Sequence, residues 1–71
     1  MEKKLKINGQ EKEFAAGQWP DTVSVLLEQL EINEATVVAE IDGSIVERKD
    51  FASTPLSEGQ AIELIRFVGG G

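Results

Sequence analysis

Residues 61–71 read AIELIRFVGGG, and this stretch decides the fold. Its first part is the most apolar strand-like run of the chain, which predicts a strand with neighbours on both sides in a sheet. Three glycines end the stretch, and a core gains nothing from them because glycine has no side chain and loses much backbone freedom on ordering. We therefore expect Gly69, Gly70 and Gly71 to form a flexible tail. Such a tail, ending in a carboxylate, can enter a narrow site on a partner.

The start of the chain predicts a β-hairpin. Leu5 and Ile7 alternate with polar residues, as in a half-buried strand. Asn8-Gly9 is a strong hairpin signal because both residues tolerate positive φ. The partner strand is expected from about Glu11 to Ala15, with Phe14 pointing inward.

One helix is predicted next. Either Asp21 or Thr22 can cap its start. Four apolar residues follow at spacings i, i+3, i+4 and i+7, which is one helical stripe: Val23, Leu26, Leu27 and Leu30.

A second hairpin and an irregular segment follow the helix. Residues 36–41 are β-branched and predict a strand, which returns through 44–46 after an Asp42-Gly43 turn. Residues 47–56 are polar apart from Phe51 and Leu56, so we expect a surface connection that touches the core twice. The last strand is expected to begin near Ala61.

This order of elements predicts an α+β fold with a mixed sheet of four to five strands and one main helix across one face. Pairing of the last strand with the first makes the sheet mixed, which is the ubiquitin-like β-grasp arrangement. No linker or repeat divides the sequence, so we expect one domain over residues 1–71, with the tail at 69–71.

Composition limits the chemistry. The 71 residues include no cysteine and no histidine, so thiolate metal sites, disulfides and the usual general base are absent. We expect no enzymatic activity, no metal and no bound cofactor. The net charge of −6 argues against nucleic acid and anionic membranes and favours a basic protein partner, although acidic surfaces also serve solubility alone. With no signal or membrane-spanning stretch, we expect a cytoplasmic monomer.

Strand alternation suggests where a partner docks. It places Ile62 and Leu64 on one face of the last strand and Ile65 and Phe67 on the other. If the first pair faces the helix, the second forms an exposed apolar patch beside the tail. The predicted docking residues are Ile65, Arg66, Phe67 and Val68. The alternative is a bulge or a covered second face that buries Phe67.

Three segments resemble the ThiS family, the small sulfur carriers of thiamine biosynthesis. Residues 41–48, IDGSIVER, are similar to the family's turn, short strand and arginine, and residues 56–63, LSEGQAIE, are similar to its lead-in to the last strand. Residues 68–71, VGGG, match its ending, and Ala16-Gly17 before the helix also fits. The chain departs from the family in three ways: a third glycine, Asp42 in place of the common Asn, and Phe51 where many members have Trp.

The resemblance implies a mechanism. An E1-like, ThiF-type enzyme would consume ATP to adenylate the terminal carboxylate of Gly71, or of Gly70 if the chain is trimmed. A persulfide sulfur donor would then displace AMP and leave a thiocarboxylate, and a ThiG-type thiazole synthase would receive the sulfur. Two further functions stay open: a MoaD-like small subunit and sulfur carrier for molybdopterin synthesis, and a ubiquitin-like protein modifier.

Other motifs have simpler interpretations. Ser24 near the helix start superficially resembles the attachment site of acyl carrier proteins, but hairpin signals disfavour a helical bundle. The pairs Glu11/Glu13 and Glu31/Glu34 are expected to be solvated surface, because carboxylates without a rigid loop bind metal weakly. The basic pair 48–49 is expected to solvate a loop, with partner contact as the alternative. Trp19 is expected to pack at the helix entrance.

Overall fold

The computed structural model describes residues 3–67. It contains one α-helix, α1, at Val23–Gln29. The five strands are β1 Lys3–Ile7, β2 Gln10–Phe14, β3 Val37–Ile41, β4 Ser44–Val46 and β5 Ala61–Arg66. Two short 3-10 helices lie at Glu34–Thr36 and Arg48–Ser53. The predicted tail at 69–71 lies outside the described residues, as does Val68.

The five strands form one mixed sheet in the order β2-β1-β5-β3-β4. β5 is central, as predicted: it runs parallel to β1 and antiparallel to β3. The two hairpins, β1–β2 and β3–β4, flank it. This arrangement, with one main helix, confirms the predicted α+β, ubiquitin-like β-grasp fold.

Both hairpin turns have the predicted positive φ angles and also hold β5. Asn8 has φ 50° and Asp42 has φ 49°, each followed by a glycine with positive φ, as in a type I′ turn. The Asn8 Oδ1 accepts a hydrogen bond from the Leu64 backbone N–H at 2.7 Å. The Asp42 Oδ1 accepts one from the Ala61 N–H at 2.9 Å. The two turns therefore complete the hydrogen bonding of the central strand from both sides.

The helix matches its predicted stripe. Thr22 caps its start, because its Oγ1 accepts from the Val25 N–H at 3.3 Å. Leu30, half-buried, follows the last helical turn as the C-cap. The next residue, Glu31, adopts the left-handed region with φ 58°. Its N–H and that of Ile32 donate to the Glu28 and Leu27 carbonyls, the pattern of a Schellman motif.

One core lies between the helix and one face of the sheet. Its buried residues are Leu5, Phe14, Val23, Leu26, Leu27, Val37, Ala39, Phe51, Leu56, Ile62 and Leu64. Trp19 is half-buried at the edge of this core and contacts the Phe14 ring edge-on, with centroids 5.6 Å apart. Trp19 thus has the packing role expected of it.

The structure corrects three boundaries. Residues 47–56 touch the core at Phe51 and Leu56 as predicted, but six residues of this segment form a 3-10 helix that the polar composition did not indicate. β2 begins and ends one residue earlier than predicted. Thr36 ends a 3-10 turn and does not open β3, because its hydroxyl and its N–H both donate to the Asn33 carbonyl.

Candidate functional site

The end of β5 is fixed by its neighbours. Arg66 pairs with Val37 of β3. One residue further, the Phe67 N–H donates to the Thr36 carbonyl at 3.0 Å. The ladder therefore continues to the last described residue, and the glycine run begins two positions beyond it.

The segment that receives this hydrogen bond is itself anchored. The Asn33 Oδ1 accepts from the Ala35 N–H at 2.9 Å, and the Thr36 Oγ1 donates to the Asn33 carbonyl at 2.7 Å. Glu34 accepts a hydrogen bond from the Ser24 hydroxyl of α1 at 3.1 Å. The helix, the 3-10 turn and the end of β5 therefore form one connected unit.

β5 shows the predicted alternation of faces. Ile62 and Leu64 point into the core and are buried. Ile65 and Phe67 lie on the outer face, where 48% and 45% of each is exposed. Phe67 is thus not buried beneath a second layer.

Two residues from the second hairpin enlarge the exposed apolar surface. Val38 of β3, which is half-buried, lies directly opposite Ile65 in the antiparallel register. Ile45 of β4 is 68% exposed and belongs to the same face. We call these four residues, Val38, Ile45, Ile65 and Phe67, the outer patch. Contiguous exposed apolar surface of this kind is typical of protein interaction sites.

An open groove of about 350 Å³ lies where the outer patch meets the end of β5. Its walls are mostly apolar with charged residues at the rim: Glu34, Ala35, Val37, Val38, Ile45, Val46, Glu47, Arg48 and Phe67. The only cation among these lining residues is Arg48. An apolar side chain or extended segment of a partner can fit this groove.

The predicted docking residues do not all share one face. Ile65 and Phe67 come together with the groove, whereas Arg66 is exposed on the alternate side of β5. Val68 and the tail, Gly69, Gly70 and Gly71, lie outside the described residues. A docking role for these residues stays a prediction.

The prediction from sequence missed Val38 and Ile45. The signal was available, because the two-residue Asp42-Gly43 turn fixes the register and sets Ile45 opposite Glu40. Val38 joins the outer patch only through the pairing of β3 with β5. That pairing brings together residues 27 positions apart, Val38 and Ile65, so local sequence patterns do not indicate it.

Of the two acidic pairs, Glu11/Glu13 is exposed as predicted, whereas Glu34 of the second pair is half-buried and bonded to Ser24. Glu11 and Glu13 both face the Lys4 ammonium, at 3.7 and 3.6 Å. Within residues 3–67, three or more metal-ligating side chains do not cluster anywhere. No helix in the described part of the chain has the length and hydrophobicity needed to cross a membrane.

The sequence matches a known family over nearly its whole length. The model of the ThiS family matches residues 5–71. A thiazole synthase from Paramagnetospirillum magneticum (strain ATCC 700264 / AMB-1) is 35% identical over 68 residues. That match covers 96% of this chain, and the chain spans 20% of the length of this curated relative.

Two solved structures have the same fold. The crystal structure of the thiamine biosynthesis protein ThiS from Geobacter metallireducens is 33% identical, with a TM-score of 0.78, and the match covers 96% of this chain and 99% of that one. The solution structure of a thiamine biosynthesis protein from the same organism is also 33% identical, with a TM-score of 0.74 and coverage of 96% and 87%. These likenesses extend over the central strand and both hairpins.

Proposed function

Because the chain belongs to the ThiS family, we propose that it is a sulfur carrier protein of thiamine biosynthesis that acts in formation of the thiazole ring. The solved relatives are described as thiamine biosynthesis proteins, and the curated relative is a thiazole synthase. Both descriptions support a role in the same pathway. In the thiazole synthase, a segment like this chain is part of a longer polypeptide, which supports a working contact between carrier and synthase.

The observation that carries the proposal is the position of the glycine run. It follows a central strand, β5, and the residue after that strand, Phe67, is hydrogen-bonded to Thr36 and belongs to the outer patch. A partner that binds the outer patch therefore contacts Phe67, whose position is fixed two residues before the glycine run. Glycines let the reacting carbonyl approach a nucleotide pocket without a Cβ in the way.

The chemistry would proceed at the carboxylate of Gly71. A carboxylate is a poor electrophile, so its oxygen first attacks the α-phosphate of ATP in a ThiF-type enzyme, and pyrophosphate leaves. A persulfide on a partner protein then attacks the acyl adenylate and displaces AMP. Cleavage of the resulting S–S bond by a thiol leaves a thiocarboxylate, which a ThiG-type synthase uses as its sulfur source.

This chain would be the substrate of these steps and not their catalyst. It has no histidine or cysteine to act as base or nucleophile. Its contribution is recognition by the outer patch and presentation of the tail. ATP would be bound by the activating enzyme.

Intact mass spectrometry tests the function. The protein purified from cells that make thiamine should contain a fraction heavier by the difference between sulfur and oxygen, and a variant that ends at Gly70 shows which terminal glycine carries it. A matched culture grown with added thiamine, which lowers demand for the thiazole, serves as control. High-molecular-weight conjugates to lysine in place of that fraction would contradict the proposal and favour a protein modifier.

Growth separates the two carrier pathways. A strain lacking this gene should need thiamine and should retain its molybdenum-cofactor enzymes. The opposite requirement would assign the chain to molybdopterin synthesis.

A further inference from the structure

Two carboxylates of like charge stand opposite each other on the outer face of the sheet. The antiparallel register of β3 and β5 pairs Glu40 directly with Glu63. Side chains in such a pair have Cβ atoms about 5 Å apart, and like charges there destabilise the sheet. Glu63 is exposed and Glu40 is half-exposed, so both are accessible from the same side.

Within residues 3–67, neither of these carboxylates forms an ion pair. The ion pairs of residues 3–67 both use Lys4, which is engaged with the glutamates of β2. Arg48 lines the groove near Phe67, and Arg66 lies on the alternate side of β5. Lys6 of β1 lies on the same face, diagonal to Glu63 in the parallel register, but forms no ion pair with it. Glu40 and Glu63 therefore remain a directly opposed pair of like charges in the middle of the sheet.

The acidic pair is continuous with the outer patch. Glu63 precedes Ile65 by two residues on the same strand face, and Glu40 is cross-strand partner of Ile45. Val38, Ile65 and Phe67 lie toward the end of β5. The acidic pair lies further back along the strand, level with Ile45. Together they form one surface with an apolar half and an anionic half.

We propose that this surface binds the activating enzyme through a basic side chain, an arginine or lysine, that lies between Glu40 and Glu63 while apolar groups cover the outer patch. The inference rests on the proposed function. A cation in that position removes the repulsion and supplies the counter-charge that two carboxylates need when an interface covers them. The net charge of −6 makes the same attraction act at longer range.

A second copy of this chain is not the occupant that fits. In a two-fold symmetric contact each surface meets itself. Four carboxylates from two Glu40–Glu63 pairs would then lie in one interface, and the neighbouring cation in the sheet register, Lys6, is directly opposite neither of them. A partner of opposite charge satisfies the same geometry.

Charge reversal tests the proposal. Glu63→Lys and Glu40→Lys are compared with Glu28→Lys, which makes the same change in net charge on the exposed side of α1, away from the outer face. Adenylation is followed as exchange of labelled pyrophosphate into ATP by a purified ThiF-type enzyme, with this chain as substrate. Thermal unfolding of each variant is measured by circular dichroism.

The two readouts should move in opposite directions. Glu63→Lys should lower kcat/KM by roughly tenfold or more, mainly through KM, because the interface charge is reversed. The same change should raise the melting temperature, because it replaces a repulsive cross-strand pair with an attractive one. Wild-type kcat/KM should fall as salt is added, and that of Glu63→Lys should change less. Glu28→Lys should match wild type in activity.

Three results would overturn the proposal. One is equal activity of Glu63→Lys, Glu40→Lys and Glu28→Lys. Another is a loss of activity in variants whose melting temperature also falls, because unfolding would then explain the loss. In that case Glu63→Gln, which removes the charge at nearly constant volume, must keep its melting temperature and still lose activity for the proposal to stand. If wild type itself supports no exchange with the enzyme, the proposed function fails and this inference fails with it.

Discussion

Glu31 gives the most direct test of how this fold is stabilised. It stands just past the end of α1 with φ 58°, a backbone conformation that glycine adopts easily and glutamate does not. The hydrogen bonds of the motif are already in place: the Glu31 N–H donates to the Glu28 carbonyl at 3.1 Å, and the Ile32 N–H to the Leu27 carbonyl at 2.9 Å. Glu31→Gly therefore changes strain without removing a backbone contact.

The expected gain follows from two opposing terms. A non-glycine residue in the left-handed region costs roughly 1–2 kcal/mol. Relief of this strain is partly offset, by about 0.5–1 kcal/mol, because glycine has more conformational freedom than glutamate in the unfolded chain and loses it on folding. Glu31→Gly should thus stabilise the domain by about 0.5–1 kcal/mol. For a chain of 71 residues this corresponds to a rise in Tm of about 2–8 °C.

Urea denaturation measures this gain, with the midpoint expected to rise at an unchanged m-value. Glu28→Gly is the matched control, because the same substitution three residues earlier falls inside the helix. It should destabilise by about 1 kcal/mol. If both substitutions destabilise alike, the left-handed strain assigned to Glu31 is absent and the reasoning is refuted.

Three further changes probe the core, the turn and the outer patch. Phe51→Ala should destabilise by about 3–5 kcal/mol, enough to unfold a domain of this size, because Phe51 is 1% exposed; loss of the cooperative thermal transition checks it. Asp42→Ala should cost about 1–3 kcal/mol in urea denaturation, because it removes the acceptor for the Ala61 N–H and places alanine at φ 49°. Asp42→Asn keeps both features and should stay within about 0.5 kcal/mol of wild type, so a large loss there would contradict the acceptor role. Phe67→Ser should slow adenylation while leaving Tm within a few degrees, since nearly half of Phe67 is exposed; unchanged kinetics would remove it from the docking surface.

Local signals in the sequence predicted the elements well. The four-residue apolar stripe located α1, and the dipeptides Asn8-Gly9 and Asp42-Gly43 located both hairpins, because each pattern depends only on neighbours in the chain. The apolar character of residues 61–66 correctly placed β5 in the centre of the sheet.

What the sequence did not predict depends on residues far apart in the chain. The 3-10 helix at Arg48–Ser53 is organised around the burial of Phe51, and a single anchor leaves no periodic pattern. The hydrogen bonds from Leu64 to Asn8 and from Ala61 to Asp42 join turns to a strand that is 56 and 19 residues away. The Glu40–Glu63 pair appears only once the register of β3 on β5 is known.

The central place of β5 also has a consequence for synthesis of the protein on the ribosome. β1 and β3 both hydrogen-bond to β5, so the two hairpins made earlier have no common sheet until it arrives. Such non-local pairing makes folding a late event, because distant segments must meet before their contacts form. A chain that stops before residue 61 lacks two core residues, Ile62 and Leu64, and the strand that joins its halves. Premature termination should therefore yield an unfolded product that proteases remove, and not a folded domain with its last strand missing.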